Sequence, residues 1–154
     1  MMQPNGSTYW GDWEGGQAKG KGTYYCAIEK SFYDGEWLDD QQHGSGVEEW
    51  QEGAVSYEGT FVNGQKTGKG HFKTESSSYR GDFIDGQFHG HGVYSFVDEG
   101  KVYEGQFEQN MMHGQGVMTY ADGSKYAGNF AKGKKSGNGT RFWANGDHYI
   151  GQFR

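Results

Sequence analysis

The sequence predicts an all-β protein: an elongated, twisted single-layer antiparallel sheet made of β-hairpins in tandem. Three observations lead there. A tyrosine recurs as Tyr9, Tyr33, Tyr57, Tyr79, Tyr103, Tyr126 and Tyr149, at spacings of 24, 24, 22, 24, 23 and 23 residues. A steady period of this length marks a repeat architecture. Each tyrosine is followed by glycine at +2 and an aromatic ring at +4, the alternation of a strand with one apolar face. At +7 stands Gly, Asp or Asn, residues that accept the positive φ of a hairpin turn.

Taken in order, the first hairpin carries Tyr9, Gly11 and Trp13, turns at Gly16 and returns through Gly20 and Gly22. The second carries Tyr33, Gly35 and Trp37, turns at Asp40 and returns through Gly44 and Gly46. The third runs Tyr57, Gly59, Phe61, then Gly64, then Gly68 and Gly70. The fourth runs Tyr79, Gly81, Phe83, then Gly86, then Gly90 and Gly92. The fifth has Tyr103, Gly105 and Phe107, with Asn110 at its turn and Gly114 and Gly116 beyond. The sixth has Tyr126, Gly128 and Phe130, with Gly133 at its turn and Gly137 and Gly139 beyond. A partial seventh begins at Tyr149, with Gly151 and Phe153. Asn5-Gly6, Asp122-Gly123 and Asn145-Gly146 are turn signals in the links. The whole chain, 1–154, reads as one repeat array. On each returning strand, positions +11, +13, +15 and +17 are expected on one face, as in Gly90, Gly92, Tyr94 and Phe96. Face glycines would leave room for a neighbouring ring to lie flat. The pattern places 28 of the 29 glycines, all but Gly15.

Composition narrows the alternatives. Leu, Ile, Val and Phe together number 21 of 154 residues, too little aliphatic volume for a conventional core. The 17% aromatic content and net charge of −6 argue against disorder. One proline excludes collagen, and glycine at this density excludes a long helix. No apolar run approaches the length of a membrane span, and no signal-peptide pattern follows Met1. Cys26 is the single cysteine, so a reducing, cytoplasmic setting is expected.

The motif Tyr-x-Gly-x-Phe/Trp-x-x-Gly-x-x-His-Gly-x-Gly, complete from Tyr79 to Gly92, resembles the MORN repeat (membrane occupation and recognition nexus). Departures are Asp40 and Asn110 at the turn glycine, and Lys19, Thr67 and Ser136 at the histidine. The resemblance implies a non-catalytic scaffold or adaptor in the cytoplasm that binds partner segments, links membrane and cytoskeleton, and dimerises. It also raises the alternative of an N-terminal regulatory array of a longer enzyme.

Chemistry within the repeat finds no support. His43, His89 and His113 recur one hairpin apart, which is about 9.6 Å across two strand spacings. Ligand nitrogens on one zinc lie only about 4 Å apart, so no metal ladder forms. The run Gly128 to Lys135 approaches a phosphate-binding loop but has Lys135 where Ser or Thr is required, and no following helix. The Gly-x-Gly pairs lack the third glycine and βαβ unit of a dinucleotide fold. No cofactor, catalytic residue or metal is expected.

Charge is uneven: residues 1–123 carry net −11 and residues 124–154 net +5. This is no broad basic stripe, so nucleic acid is not an expected partner. Lys132, Lys134 and Lys135 are the candidate site for anionic lipid, such as a phosphoinositide, if they converge. About 13 strands at roughly 4.8 Å would make a sheet near 60 Å long. The last strand, at residues 149–154, would offer a free edge for homodimerisation through the C-terminal repeats. The main expectation is an aromatic trough for a helix or extended peptide. Its candidate lining is Tyr57, Phe61, Phe72, Tyr79, Phe83, Tyr94, Phe96, Tyr103, Phe107 and Tyr120, with some rings serving the fold alone. Glu58, Asp82 and Glu104 are expected on its rim, selecting basic flanks.

Overall fold

The structure, a computed structural model, describes residues 6–153. Asn5 of the first turn signal and Arg154 at the end of the last strand lie outside the described residues. All regular elements are strands apart from one three-residue 3-10 turn, Gln51–Gly53. The chain forms two compact units that part between the third and fourth repeats, residues through Glu75 and residues from Ser76.

The first unit holds β1 (Ser7–Glu14), β2 (Gln17–Cys26), β3 (Ser31–Leu38), β4 (Gln41–Trp50), β5 (Val55–Val62) and β6 (Gln65–Lys73). The second holds β7 (Ser77–Ile84), β8 (Gln87–Phe96), β9 (Lys101–Glu108), β10 (Met111–Thr119), β11 (Lys125–Ala131), β12 (Lys134–Phe142) and β13 (His148–Phe153). Within each unit every strand pairs antiparallel with the next in sequence. The all-β tandem-hairpin class is therefore as the sequence predicts.

The hairpins close through two-residue turns with both residues at positive φ, as in Asn63-Gly64 (49°, 79°) and Asp85-Gly86 (51°, 78°). That is the type I′ geometry whose twist matches the flanking strands. Asp40 and Asn110 take it as well, at φ 65° and 68°. Four of these turns are stitched to the preceding repeat: the N–H groups of Asp40, Gly64, Asn110 and Gly133 donate to the carbonyls of Ala18, Gln42, Phe88 and Met112, at 2.9–3.1 Å. Asp122-Gly123 and Asn145-Gly146 form link turns, with the Gly123 and Gly146 N–H groups donating to Tyr120 and Trp143.

The core is a row of rings seated on a row of glycines. Across the first unit Gly11, Gly22, Gly35, Gly46, Gly59 and Gly70 are consecutive cross-strand partners. Across the second, Gly81, Gly92, Gly105, Gly116, Gly128, Gly139 and Gly151 are. Over each +2/+13 pair lies the tyrosine of the same repeat. A Cβ on Gly46 would sit 2.5 Å from the Cε2 and Cζ atoms of Tyr33. The steric reading of the face glycines holds at +13.

It does not hold at +11. Between +2 and +4 the register of the outgoing strand slips, as between Gly81 and Phe83. This β-bulge breaks the alternation on the returning strand. Gly90 has φ 67°, and a Cβ there would meet the Asp82 side chain rather than a ring. So Gly90 does not share the face of Gly92, Tyr94 and Phe96. The bulge has its own chemistry. It turns the +3 carbonyl toward the ring, where the tyrosine hydroxyl donates to it, as from Tyr79 to Asp82 and from Tyr103 to Gln106, both at 2.7 Å. The +3 side chain, on the other face, accepts from the +12 backbone N–H, as Glu36 does from Ser45 (2.6 Å) and Asp82 from His91 (3.2 Å).

Candidate functional site

The expected binding face divides into two tiers. Tyr57, Phe61, Tyr79, Phe83, Tyr103 and Phe107 are buried by the chain itself. They interlock edge to face: Tyr79 lies 5.2 Å from Phe83 and 5.0 Å from Phe107, at 89° and 86°. Such geometry contributes about 0.5–1.5 kcal/mol per pair beyond area burial. These six rings build the fold and offer no surface to a ligand. Burial raises the phenols of the three tyrosines, pushing Tyr57 and Tyr103 up to about 12.

Phe72, Tyr94, Phe96 and Tyr120 form the upper tier and are half-buried. Tyr94 stands directly across from both Tyr79 and Tyr103, and its ring meets Phe96 at 4.6 Å. Three +9 residues share this tier, each placed over the tyrosine of its repeat. Phe88 stacks on Tyr79 at 3.9 Å and 13°. The Lys66 ammonium lies 5.4 Å from the Tyr57 ring and 4.8 Å from Trp50. The Lys135 ammonium lies 5.4 Å from Tyr126 and 5.1 Å from Tyr120. Sequence reasoning missed this column; aligning the repeats at +9 would have exposed it.

Other expected residues fall elsewhere. Glu58, Asp82 and Glu104 stand at odd offsets from their tyrosines, so they belong to the opposite face and form no rim around the rings. Lys132 lies in a turn at φ 51°, and Lys134 and Lys135 are adjacent strand residues that point to opposite faces. Lys135 already spends its charge on two rings, so the three lysines do not converge on one surface. Arg141 lies 4.4 Å over the Tyr120 ring and donates to the Ser124 hydroxyl at 3.2 Å. Glu48, between Tyr33 and Tyr57 in the cross-strand row, is held above the ordinary carboxylate range by burial, with Lys66 opposing the shift. His113 faces Glu108 at 3.4 Å. Among the described residues no three metal-ligating side chains gather.

The recurrent unit is now defined: tyrosine over two glycines, perpendicular ring at +4, bulge, type I′ turn. The MORN-repeat family model matches it six times, at residues 9–28, 33–55, 57–77, 79–101, 103–125 and 126–148. The chain belongs to the MORN-repeat family. MORN arrays are in general non-catalytic repeat modules, and every ring and glycine of the motif here has a structural duty. The MORN match begins each repeat at the tyrosine that the spacing singles out. Among curated proteins none matches the chain.

Proposed function

We propose that this MORN array is a non-catalytic scaffold or adaptor that holds a segment of a partner protein against its ring-bearing face. The observation that carries this is the upper tier. Within the second unit Tyr94, Phe96 and Tyr120 are half-exposed, on a face that no other regular element of that unit covers. A sheet normally buries its apolar face on a second layer, and a partner helix or strand would supply one. Tyrosine suits such a surface, with an apolar body and a polar tip.

The test separates the tiers. A peptide library selected on the full chain should yield binders lost in Tyr94→Ser/Phe96→Ser, with the melting temperature of that variant close to wild type. If binders hold the double variant as tightly as wild type, the upper tier of the second unit is not the docking surface.

A further inference from the structure

One of these upper-tier positions is empty, and its neighbours state what belongs there. In the fourth repeat the Phe88 ring fills a niche walled by four rings. Tyr79 lies under it at 3.9 Å, with Phe83 at 5.5 Å, Phe107 at 6.0 Å and Tyr94 at 6.0 Å around it. The equivalent walls in the first repeat are Tyr9, Trp13, Trp37 and Tyr24. They stand in the same relation: Tyr9 meets Trp13 at 4.9 Å and 76°, and Trp37 at 5.3 Å and 89°, while Tyr24 meets Trp37 at 6.3 Å. The plug is missing. Where the fourth repeat has Phe88, the first has Ala18, buried against the sheet and too short to reach the rings. A cavity of about 590 Å³ lies there, lined by these four rings, Ala18 and Asp40. All of its walls belong to the first unit.

Two differences between the filled and the empty niche concern charge. In the fourth repeat the side chain that accepts from the +9 N–H is neutral: Asn110 Oδ1 accepts from Phe88 at 2.9 Å. In the first it is a carboxylate: Asp40 Oδ1 accepts from Ala18 at 2.6 Å. Burial, with Asp12 and Asp40 adding to it, raises the Tyr9 phenol above its ordinary range, and Asp40 itself lines the cavity. The +4 walls also change, from Phe83 and Phe107 to Trp13 and Trp37, and indole is the strongest ring partner for a cation. Trp37 is anchored by donating from Nε1 to the Gly22 carbonyl at 2.9 Å. The chain itself shows a cation in this column, since Lys66 and Lys135 place their ammonium groups over the equivalent tyrosines.

We infer that the Tyr9–Trp13–Tyr24–Trp37 niche, with Asp40 at its edge, binds the alkylammonium head of a lysine side chain, methylated or free, carried by a partner segment. The niche is the column's missing +9 cation, supplied in trans. Acidic surroundings favour its approach, because residues 1–75 carry twelve acidic and six basic side chains. The biological occupant rests on the partner-segment reading above; the chemistry of the niche does not.

The test uses the full 15N-labelled chain and free amino acid derivatives. Nα-acetyl-trimethyllysine amide is titrated, with the neutral norleucine and the phenylalanine derivatives as comparisons, and the Trp13 and Trp37 indole N–H signals are followed. The cation should move both signals saturably and the neutral derivative should not. Ala18→Phe copies Phe88 and should abolish the response. Asp40→Asn copies Asn110, keeps the bond to Ala18, and should weaken the cation about two- to fivefold, as expected for losing an exposed carboxylate beside it. Both variants import residues that the array already accommodates at equivalent positions, Phe88 in the fourth repeat and Asn110 in the fifth. Silent indoles in the wild-type protein would overturn the inference, as would a phenylalanine derivative that binds better than the cation, or an unchanged response in Ala18→Phe. A responsive niche in a protein that captures no segment would instead overturn the partner-segment reading alone.

Discussion

Replacing Gly92 with alanine puts a methyl group where the Tyr79 ring lies. The new Cβ would sit 2.6 Å from Cζ and 2.5 Å from the hydroxyl oxygen, against an ordinary carbon contact of about 3.5–4.0 Å. The ring must retreat by about 1 Å to restore such a contact. It has nowhere to go: Tyr79 is fully buried, with Phe88 stacked at 3.9 Å and Phe83 and Phe107 edge-on near 5 Å. Overpacking of this kind costs about 1–3 kcal/mol. Withdrawing the hydroxyl from the Asp82 carbonyl, 2.7 Å away, adds about 1 kcal/mol. Removing a glycine from the unfolded chain returns about 0.4–1 kcal/mol. The net loss is about 1–3.5 kcal/mol, a fall in melting temperature of roughly 2–14 °C at about 2–4 °C per kcal/mol for a chain of this size. Gly151 is the control. Its Cβ would lie at the same 2.6 Å from Cζ of Tyr149, but that ring is 47% exposed and can swing into water. Gly151→Ala should stay within about 0.5 kcal/mol of wild type, as surface changes do. Thermal and urea unfolding followed by circular dichroism decide it. Equal losses in the two variants, or a neutral Gly92→Ala, would refute the seating of rings on glycines.

Three further outcomes are expected. Tyr33, Tyr57 and Tyr103 are pushed up to about 12 by burial, so the folded chain holds these protons more tightly than the unfolded chain, whose phenols titrate near 10. Their contribution is whole below about pH 10 and is lost as pH rises to about 12; urea midpoints should hold to pH 9 and fall steeply above 10, in step with phenolate absorbance. Tyr103→Phe removes the 2.7 Å bond to the Gln106 carbonyl while keeping the ring, and should lower unfolding free energy by about 1 kcal/mol. Lys132→Asn relieves a lysine held at φ 51° and completes an Asn-Gly type I′ turn, so the urea midpoint should rise by the equivalent of about 0.5–1 kcal/mol.

The ring row was legible because its grammar is written locally. Tyr79, Gly81 and Phe83 sit two residues apart, and period two is what a strand face requires. The turn residues were legible for the same reason, Asp40 and Asn110 included. Gly90 departs from the alternation because it sits inside the bulge, where residues 89–91 of the returning strand oppose Asp82 alone, and nothing in Gly-His-Gly marks it. Glu58 and Glu104, expected on a rim, each stand next to a tyrosine on a strand, and neighbours on a strand point apart. The depth of Tyr57 or Phe107 was hidden as well. Burial there depends on rings from other repeats closing over them, as Phe130 closes on Tyr103 at 4.9 Å. The niche was hidden for a related reason: its walls come from β1, β2 and β3, and its defining feature is a side chain that Ala18 lacks.

The glycine row also acts as a key that fits only one notch. Slide a strand by one residue against its neighbour and the bare backbone under each tyrosine is replaced by a side chain that the ring cannot tolerate. Pairing errors therefore announce themselves at every repeat, and the chain needs no distant contact to find its register. Length changes must then collect where no ring is seated. They do: the offsets from each tyrosine to its glycines are constant through six repeats, and the variation from 22 to 24 residues between tyrosines falls in the links. Such an array can lengthen its links without disturbing the seating of its rings, and can gain or lose whole hairpins wherever the next one supplies the same +4 ring to its neighbour. An added residue between a tyrosine and its second glycine would derail the hairpin that contains it.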